Sequence, residues 1–312
     1  VDPEAMTNLP RELRALLAGE LAPPALEPVN VARSVDGTRK FAFRLADGEL
    51  IESVLIPDRH RMTLCVSSQV GCAMGCGFCA TARLGLRRHL TPDEIVAQVM
   101  FARRHLEEDP LGCGHLTNIV FMGMGEPLHN LENLLSALGI LTAPWGLAIS
   151  PRRITVSTVG LVPQMRELLE RTQVNLAVSL SATTEEGRRE LMPVTRRYAL
   201  AELMDACREL PVPRRRRITF EYVMLAGVND SDEDARRLVK LLHGIRSKVN
   251  LICFNAFTEA GFAGSAAERR ERFQRLLLDH GVNATIRDSR GPDIAAACGQ
   301  LAAQSGEHRA TR

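Results

Sequence analysis

Three cysteines fall within one short stretch, Cys72-Ala-Met-Gly-Cys76-Gly-Phe-Cys79. Thiolates bind soft metals, and four of them fill a tetrahedral zinc site or an iron–sulfur cube. Here there are three, and the next histidine is His89. A cluster held by three cysteines leaves one iron without a protein ligand, open to a substrate. Gly71, Gly75 and Gly77 interleave with the thiols and let the backbone wrap tightly round a bulky inorganic group. The competing reading is a zinc knuckle, which calls for a fourth ligand and usually for paired C-x2-C spacings.

The elements that must position this stretch form a regular series. Residues 7–19 read as a short amphipathic helix with Asn8 as cap and Gly19 as stop. Two alternating runs, Lys40–Leu45 and Leu50–Ile56, flank Asp47-Gly48 and predict a β-hairpin. From Met62 onward, β-branched runs near 62–67, 117–122, 152–157, 174–180, 217–223 and 249–254 alternate with helical stretches. Those helices are expected near 91–107, 130–142, 162–172, 184–210 (broken), 231–246 and 266–280, with a further strand near 283–287. Such alternation means parallel strands joined by right-handed crossovers. The fold expected is α/β, an open partial (β/α)6 barrel, short of the eight units of a closed barrel. The chain divides into an N-terminal extension (1–60), the barrel (61–288) and a tail (289–312).

The polar residues fall at one rim of this scheme. The cysteine stretch follows the first strand and Gly123-Met-Gly125-Glu126-Pro127 follows the second. Ser157 and Thr158 end the third strand, Ser179 to Ser181 the fourth, Glu221 the fifth and Asn255 the sixth. Parallel α/β barrels build their active sites at these carboxyl ends.

With 312 residues, 45% apolar and 24% charged, the composition is that of an ordinary globular protein. No apolar run reaches the ~18 residues of a membrane span. The start, Val1 to Met6, does not read as a signal peptide. Eight cysteines, three of them clustered, suit a reducing cytoplasm better than a disulfide scaffold. Net charge is only +2, yet the basic residues are nearly all arginine, with lysine only at Lys40, Lys240 and Lys248. Local clusters at Arg83-Arg87-Arg88, Arg188-Arg189 with Arg196-Arg197, and Arg214 to Arg217 are either solvated turns or phosphate contacts. Cys113, Cys207 and Cys253 read as inert, and His115 and His129 as surface residues.

With these residues in hand, the chain resembles the RlmN/Cfr family of radical S-adenosylmethionine (SAM) RNA methyltransferases, from about Met6 to Ala302. The motifs are Cys65-Val-Ser-Ser-Gln-Val-Gly-Cys72, the C-x3-C-x2-C stretch, Gly123 to Pro127, Val194 to Tyr198, Gly227-Val-Asn-Asp230, and Asp293-Ile-Ala-Ala-Ala-Cys298-Gly-Gln-Leu301. The resemblance implies a [4Fe-4S] cluster on Cys72, Cys76 and Cys79. It implies SAM contacts from Gly125, Glu126, Ser157, Ser179, Leu180, Ser181 and Asn255. It makes Cys298 the methylated carrier, Cys65 the cysteine that resolves the intermediate, and Glu52 the proton acceptor.

The reaction so implied is methylation of C2 of an adenine in 23S rRNA, with tRNA as a second substrate. That carbon is a poor nucleophile. Two SAM molecules are used: one methylates Cys298, and the radical cleaved from the other takes hydrogen from that methyl group. The methylene radical adds to the base, and Cys65 attacks the carrier sulfur, leaving a Cys65–Cys298 disulfide. Such a disulfide requires Cα atoms within about 7 Å, so the tail must fold back over the barrel mouth or swing there. An electron donor such as flavodoxin, a monomeric state and a cytoplasmic location complete the expectation. The rivals are Cfr-type methylation at C8 and an iron–sulfur RNA-binding protein without catalysis. Ser181 departs from the family, which usually has histidine there. The family also carries an N-terminal RNA-binding domain, of which the opening residues resemble the last helix.

Overall fold

The computed structural model describes residues 6–20, 26–59, 61–109, 114–257 and 261–302; Cys113 lies outside them. Helix α1 (Arg11–Glu20) passes through Gly19 rather than stopping there, and Asn8 sits in the preceding turn. Strands β1 (Leu26–Arg33), β2 (Arg39–Leu45) and β3 (Leu50–Asp58) form an antiparallel meander. The expected β2–β3 turn is present, with Gly48 at φ +85°. Strand β1 adds to the expected hairpin. It is an edge strand with a register shift between Pro28 and Asn30, where a residue lacking N–H costs no ladder bond.

The chain continues through β4 (Arg61–Cys65), β5 (Gln69–Gly71), α2 (Ala80–Arg83), β6 (Leu86–His89), α3 (Pro92–Glu107), β7 (Asn118–Phe121) and α4 (Leu131–Thr142). Next come β8 (Ile154–Thr158), α5 (Val162–Arg171), β9 (Asn175–Ser179), α6 (Glu185–Leu191) and α7 (Leu200–Glu209). It ends with β10 (Ile218–Met224), α8 (Asp232–Leu242), β11 (Ser247–Cys253), α9 (Ala267–Asp279) and β12 (Ala284–Arg287). One ten-stranded sheet runs β1-β2-β3-β4-β7-β8-β9-β10-β11-β12. Every pairing from β4 to β12 is parallel, so the six expected units are present and β12 adds a seventh parallel strand. β1 and β12 are the two ends of the sheet order, as in an open barrel.

The parallel strands are nearly continuous apolar runs because helices cover one face and the barrel interior the other. In β10, only Val223 is not fully buried. Helix starts are set locally. The Thr91–Glu94 capping box opens α3 behind Pro92, and a Ser231–Asp234 box opens α8. The meander is fixed to α3 by Phe41 and Phe43, whose rings meet Phe101 edge-on at centroid distances of 5.1 and 5.0 Å. Among the described residues, no helix is long and apolar enough to cross a membrane.

After β12 the chain folds back. Ser34 Oγ donates to Asp293 Oδ1 (2.6 Å), and the Gly291 amide donates to Asp36 Oδ2 (3.0 Å). Further on, the Ala80 amide donates to Gly299 O (2.7 Å) and Thr81 Oγ1 to Leu301 O (2.6 Å). The tail thus lies across the barrel mouth, tied to the meander on one side and to α2 on the other.

Candidate active site

The cysteine loop lies between β5 and α2. Its shape depends on Gly71, at φ +73°: a Cβ there would sit 1.8 Å from Gly85 O, the same carbonyl that accepts the Cys72 amide at 3.0 Å. No side chain fits so close a backbone approach. Cys72 and Cys76 are buried and Cys79 partly so. Around Cys76 stand Ala182, Leu191, Met192 and Leu225, with Phe78, Phe254 and Phe262 beside them. Burial pushes the Cys72 thiol up to about 12 and the Cys76 thiol well above its ordinary value, and the Cys79 and Cys72 sulfurs add to the effect at Cys76. Three thiols packed this way remain protonated unless a metal group supplies positive charge.

Two observations test whether these residues suit an iron–sulfur cluster. The first is that the three thiols sit on one short loop close enough to act on one another, the Cys79 and Cys72 sulfurs both acting on Cys76. A cube spreads its ligands over separate irons, so three thiols grouped on one loop suit it. The second observation is Arg188. Sequence grouping placed it among the arginines read as solvated turns or phosphate contacts, but it is fully buried beside Cys76. It donates to Thr195 Oγ1 (2.7 Å), Val159 O (2.6 Å) and Ser179 O (3.2 Å), while its Nε has no partner among the described residues. Burial pulls its pKa down to about 10, and the field of Cys76 opposes that. A buried cation with a spare N–H beside three thiols suits an anionic cluster. The residues present fit the group.

Next to the loop is an open cleft of about 140 Å³. Cys79, Gly125, Glu126, Ser157, Ser179 and Cys298 all line it. Gly125 takes φ +99°, and a Cβ there would meet Gln69 Cβ at 2.5 Å. The glycine is therefore required by Gln69, whose Oε1 accepts the Glu126 amide at 2.7 Å. Glu126 is buried, and its two oxygens accept the Leu128 (3.0 Å) and Val159 (2.8 Å) amides. Burial nonetheless raises its pKa to about 7 against those bonds. A carboxyl so poised gains from a cation placed against it.

Other expected residues lie elsewhere. Asn255 lines a neighbouring cleft that it shares with Cys298 and Arg287. Leu180 is core, its amide bonded to Glu221 O at 2.9 Å. Ser181, at φ +50°, is buried; its Oγ accepts the Val223 amide (3.3 Å) and its carbonyl accepts from Asn229 (2.7 Å), so the side chain ties β9 to β10. Glu52 is buried outside the cleft. One oxygen lies 2.9 Å from Lys40 Nζ, and the other accepts the Ala302 amide at 3.0 Å.

Cys298 is an exposed residue that lines the cleft; desolvation by the atoms near its sulfur raises its pKa, Arg287 opposes this and Glu221 adds to it. Cys65 is buried at the end of β4, where burial pushes its thiol up to about 12 and the Cys298 sulfur adds to the shift. The two thiols are thus within each other's field, though separated by nearly the whole chain. Of the remaining cysteines, Cys207 is buried and Cys253 partly buried; His115 and His129 are exposed.

The radical SAM superfamily profile matches residues 66–239, which include all three cysteines of the loop. The dual-specificity RNA methyltransferase RlmN of Syntrophotalea carbinolica is 57% identical over 96% of this chain and 79% of its own length. The protein of that name from Anaeromyxobacter dehalogenans is 56% identical over 97% and 82%. A crystal structure of a radical SAM methyltransferase from Sphaerobacter thermophilus superposes with a TM-score of 0.91 at 50% identity, over 96% of this chain and 88% of that one. On its cysteine loop, its open parallel sheet and these likenesses along nearly its whole length, the chain belongs to the RlmN family of radical SAM RNA methyltransferases.

Proposed function

We propose that this chain methylates C2 of an adenine in 23S rRNA, and in tRNA, with Cys298 as the methyl carrier. The observation that carries this reading is the position of Cys298. It lines one cleft with the cluster-loop Cys79 and with Glu126, and the Cys65 thiol is in its field. Cys72, Cys76 and Cys79 would hold the [4Fe-4S] cluster, and Gly125, Glu126, Ser157 and Ser179 the SAM, with Asn255 reaching from the adjoining cleft. When bound, these groups supply an electron and a carbon radical able to take hydrogen from an unactivated methyl group.

The residues of the chain do the rest. Cys298 accepts the methyl group and presents it to the base. The apolar shell round Cys76 keeps water from the loop. The Cys65 thiolate would attack the Cys298 sulfur: the S–S bond forms, the bond from that sulfur to the product methylene breaks, and the carbon that receives the electron pair takes up a proton, which frees the methylated base and leaves a disulfide. Glu52 takes the ring proton, and to do so it must loosen its bond to Lys40 or to Ala302. Residues 1–60 serve as an extension that carries part of the RNA contact, 61–288 as the catalytic barrel and 289–312 as the carrier tail. The protein works as a monomer in the cytoplasm with a low-potential one-electron donor such as flavodoxin.

The test is anaerobic reconstitution with SAM, reductant and RNA, followed by nucleoside mass spectrometry. The expected product is 2-methyladenosine. 8-Methyladenosine would put the chain with the Cfr type, and RNA binding without 5′-deoxyadenosine would remove the catalytic reading. Cys65→Ala should accumulate RNA covalently bound to protein, and Cys298→Ala should form none.

A further inference from the structure

Three buried carboxyls lie at or beside the barrel mouth, and two of them are fully engaged. Glu52 is held by Lys40 and the Ala302 amide, and Glu126 by two backbone amides. Glu221 differs. It projects from β10 into the cleft that Cys298 lines, and it is buried, 4% exposed. Asn250 Nδ2 on the neighbouring strand donates to its Oε1 at 2.9 Å, and Thr285 Oγ1 donates in turn to Asn250 Oδ1 at 3.0 Å. That relay fixes the carboxyl plane. Oε2 has no partner, and it is the sole buried carboxylate oxygen in that state among the described residues. An unpartnered buried acceptor is costly, which makes it a candidate for a working group.

The carrier cysteine has a matching need. A thiol must lose its proton to become a methyl acceptor, because the thiolate is the nucleophile. Charged groups facing the pair are few. Arg287 acts on both, Lys248 on Glu221, and Cys79 on Cys298, while Cys298 in turn acts on Cys65. Glu221 is the one base among them with an open oxygen.

We propose that Glu221 is the proton acceptor for Cys298 when that cysteine is methylated. The S–H bond breaks and its proton goes to Oε2, directly or through one water. The sulfur electron pair forms the new S–CH3 bond, the bond from the methyl group to the donor sulfonium breaks, and that pair leaves with the departing thioether. No electron enters or leaves. This rests on Cys298 being the carrier, and it divides the labour: Glu221 takes the thiol proton and Glu52 the later ring proton.

The experiment needs no RNA. Reconstituted protein is given SAM without reductant, and S-methylated Cys298 is measured on its tryptic peptide. Glu221→Gln should be about 100-fold slower than wild type at neutral pH and should converge with it at high pH, where the thiol ionises unaided. In cluster-free protein, iodoacetamide labelling of the same peptide should titrate at lower pH in Glu221→Gln, because a neighbouring negative charge is gone. Glu221→Asp, which keeps the charge but withdraws the oxygen, should retain the wild-type labelling midpoint yet lose methylation rate. Equal methylation rates in Glu221→Gln would overturn the proposal. So would an unmoved labelling midpoint, or a loss confined to SAM affinity. A wild type that never methylates Cys298 would overturn the carrier reading as well, which separates the two failures.

Discussion

Lys40 Nζ lies 2.9 Å from Glu52 Oε1 and also donates to the carbonyl of Ala295 at 3.3 Å. Since Glu52 Oε2 accepts the Ala302 amide, two side chains on neighbouring strands hold both ends of the loop that carries Cys298. Lys40→Met should free that loop and leave Glu52 an unpaired buried charge. Losing a hydrogen bond to a charged group costs about 1.5–3 kcal/mol, so amide exchange across 296–302 should quicken by at least about tenfold. Lys40→Arg should keep the protection. Unchanged exchange in Lys40→Met would mean the tail is held elsewhere.

Gly125 is a packing requirement before it is a ligand contact. At φ +99° with Gln69 Cβ 2.5 Å from any added Cβ, Gly125→Ala should destabilise the fold by about 1–3 kcal/mol without ligand present. Thermal unfolding of the cluster-free protein measures it. A variant as stable as wild type, yet unable to bind SAM, would restore the simpler role.

The raised pKa of Glu126 gives its effects a definite sign. Its folded value, about 7, exceeds the ordinary 4.5, so the folded chain holds a proton there that the unfolded chain lacks. Its contribution to stability is present below pH 4.5 and is lost as pH rises through about 7. A ligand ammonium against Glu126 favours the ionised form. SAM binding should therefore release a proton below pH 7 and tighten about tenfold from pH 6 to pH 8. Calorimetry in buffers of different ionisation heat reads the release. Glu126→Gln should abolish it, and a pH-independent wild type would remove Glu126 from the amino group.

The arginine run 214–217 is not uniform. Arg216 is tied to the carbonyls of Gln173 and Val174, whereas Arg214, Arg215 and Arg217 are exposed. Replacing those three with glutamine should lower the slope of log affinity for RNA against log salt by about 0.7–0.9 per lost phosphate contact. Replacing Arg216 should affect stability and leave the slope alone. An unchanged slope in the triple variant would make the run a solvated turn.

The parallel strands were legible because strands buried on both faces write themselves as apolar runs. The loop cysteines were legible because their ligand spacing is local. Strand β1 was hidden by its exposure: an edge strand carrying Pro28 and Asn30 shows no clean alternation. Arg188 was misplaced because a buried guanidinium and a solvated one have the same letter. Glu221 stood at a strand end in the sequence, but the unpartnered oxygen that singles it out exists only once Asn250 and Cys298 are beside it. The engagement of Glu52 was equally invisible, since it depends on Ala302.

The tail bonds join residues 220 to 259 positions apart: Thr81 with Leu301, Glu52 with Ala302, and Ser34 with Asp293. Contacts of that span are the slowest to close, because nearly the whole chain must be in place first. Cys298 is therefore expected to dock last, after the meander and α2 have formed. During synthesis the cysteine loop emerges long before residue 298, so a nascent chain has no Cys298 sulfur over its mouth. With Cys298 in its proposed role, the tail bonds would hold back attachment to RNA until the segment around residue 298 has docked on the meander and α2.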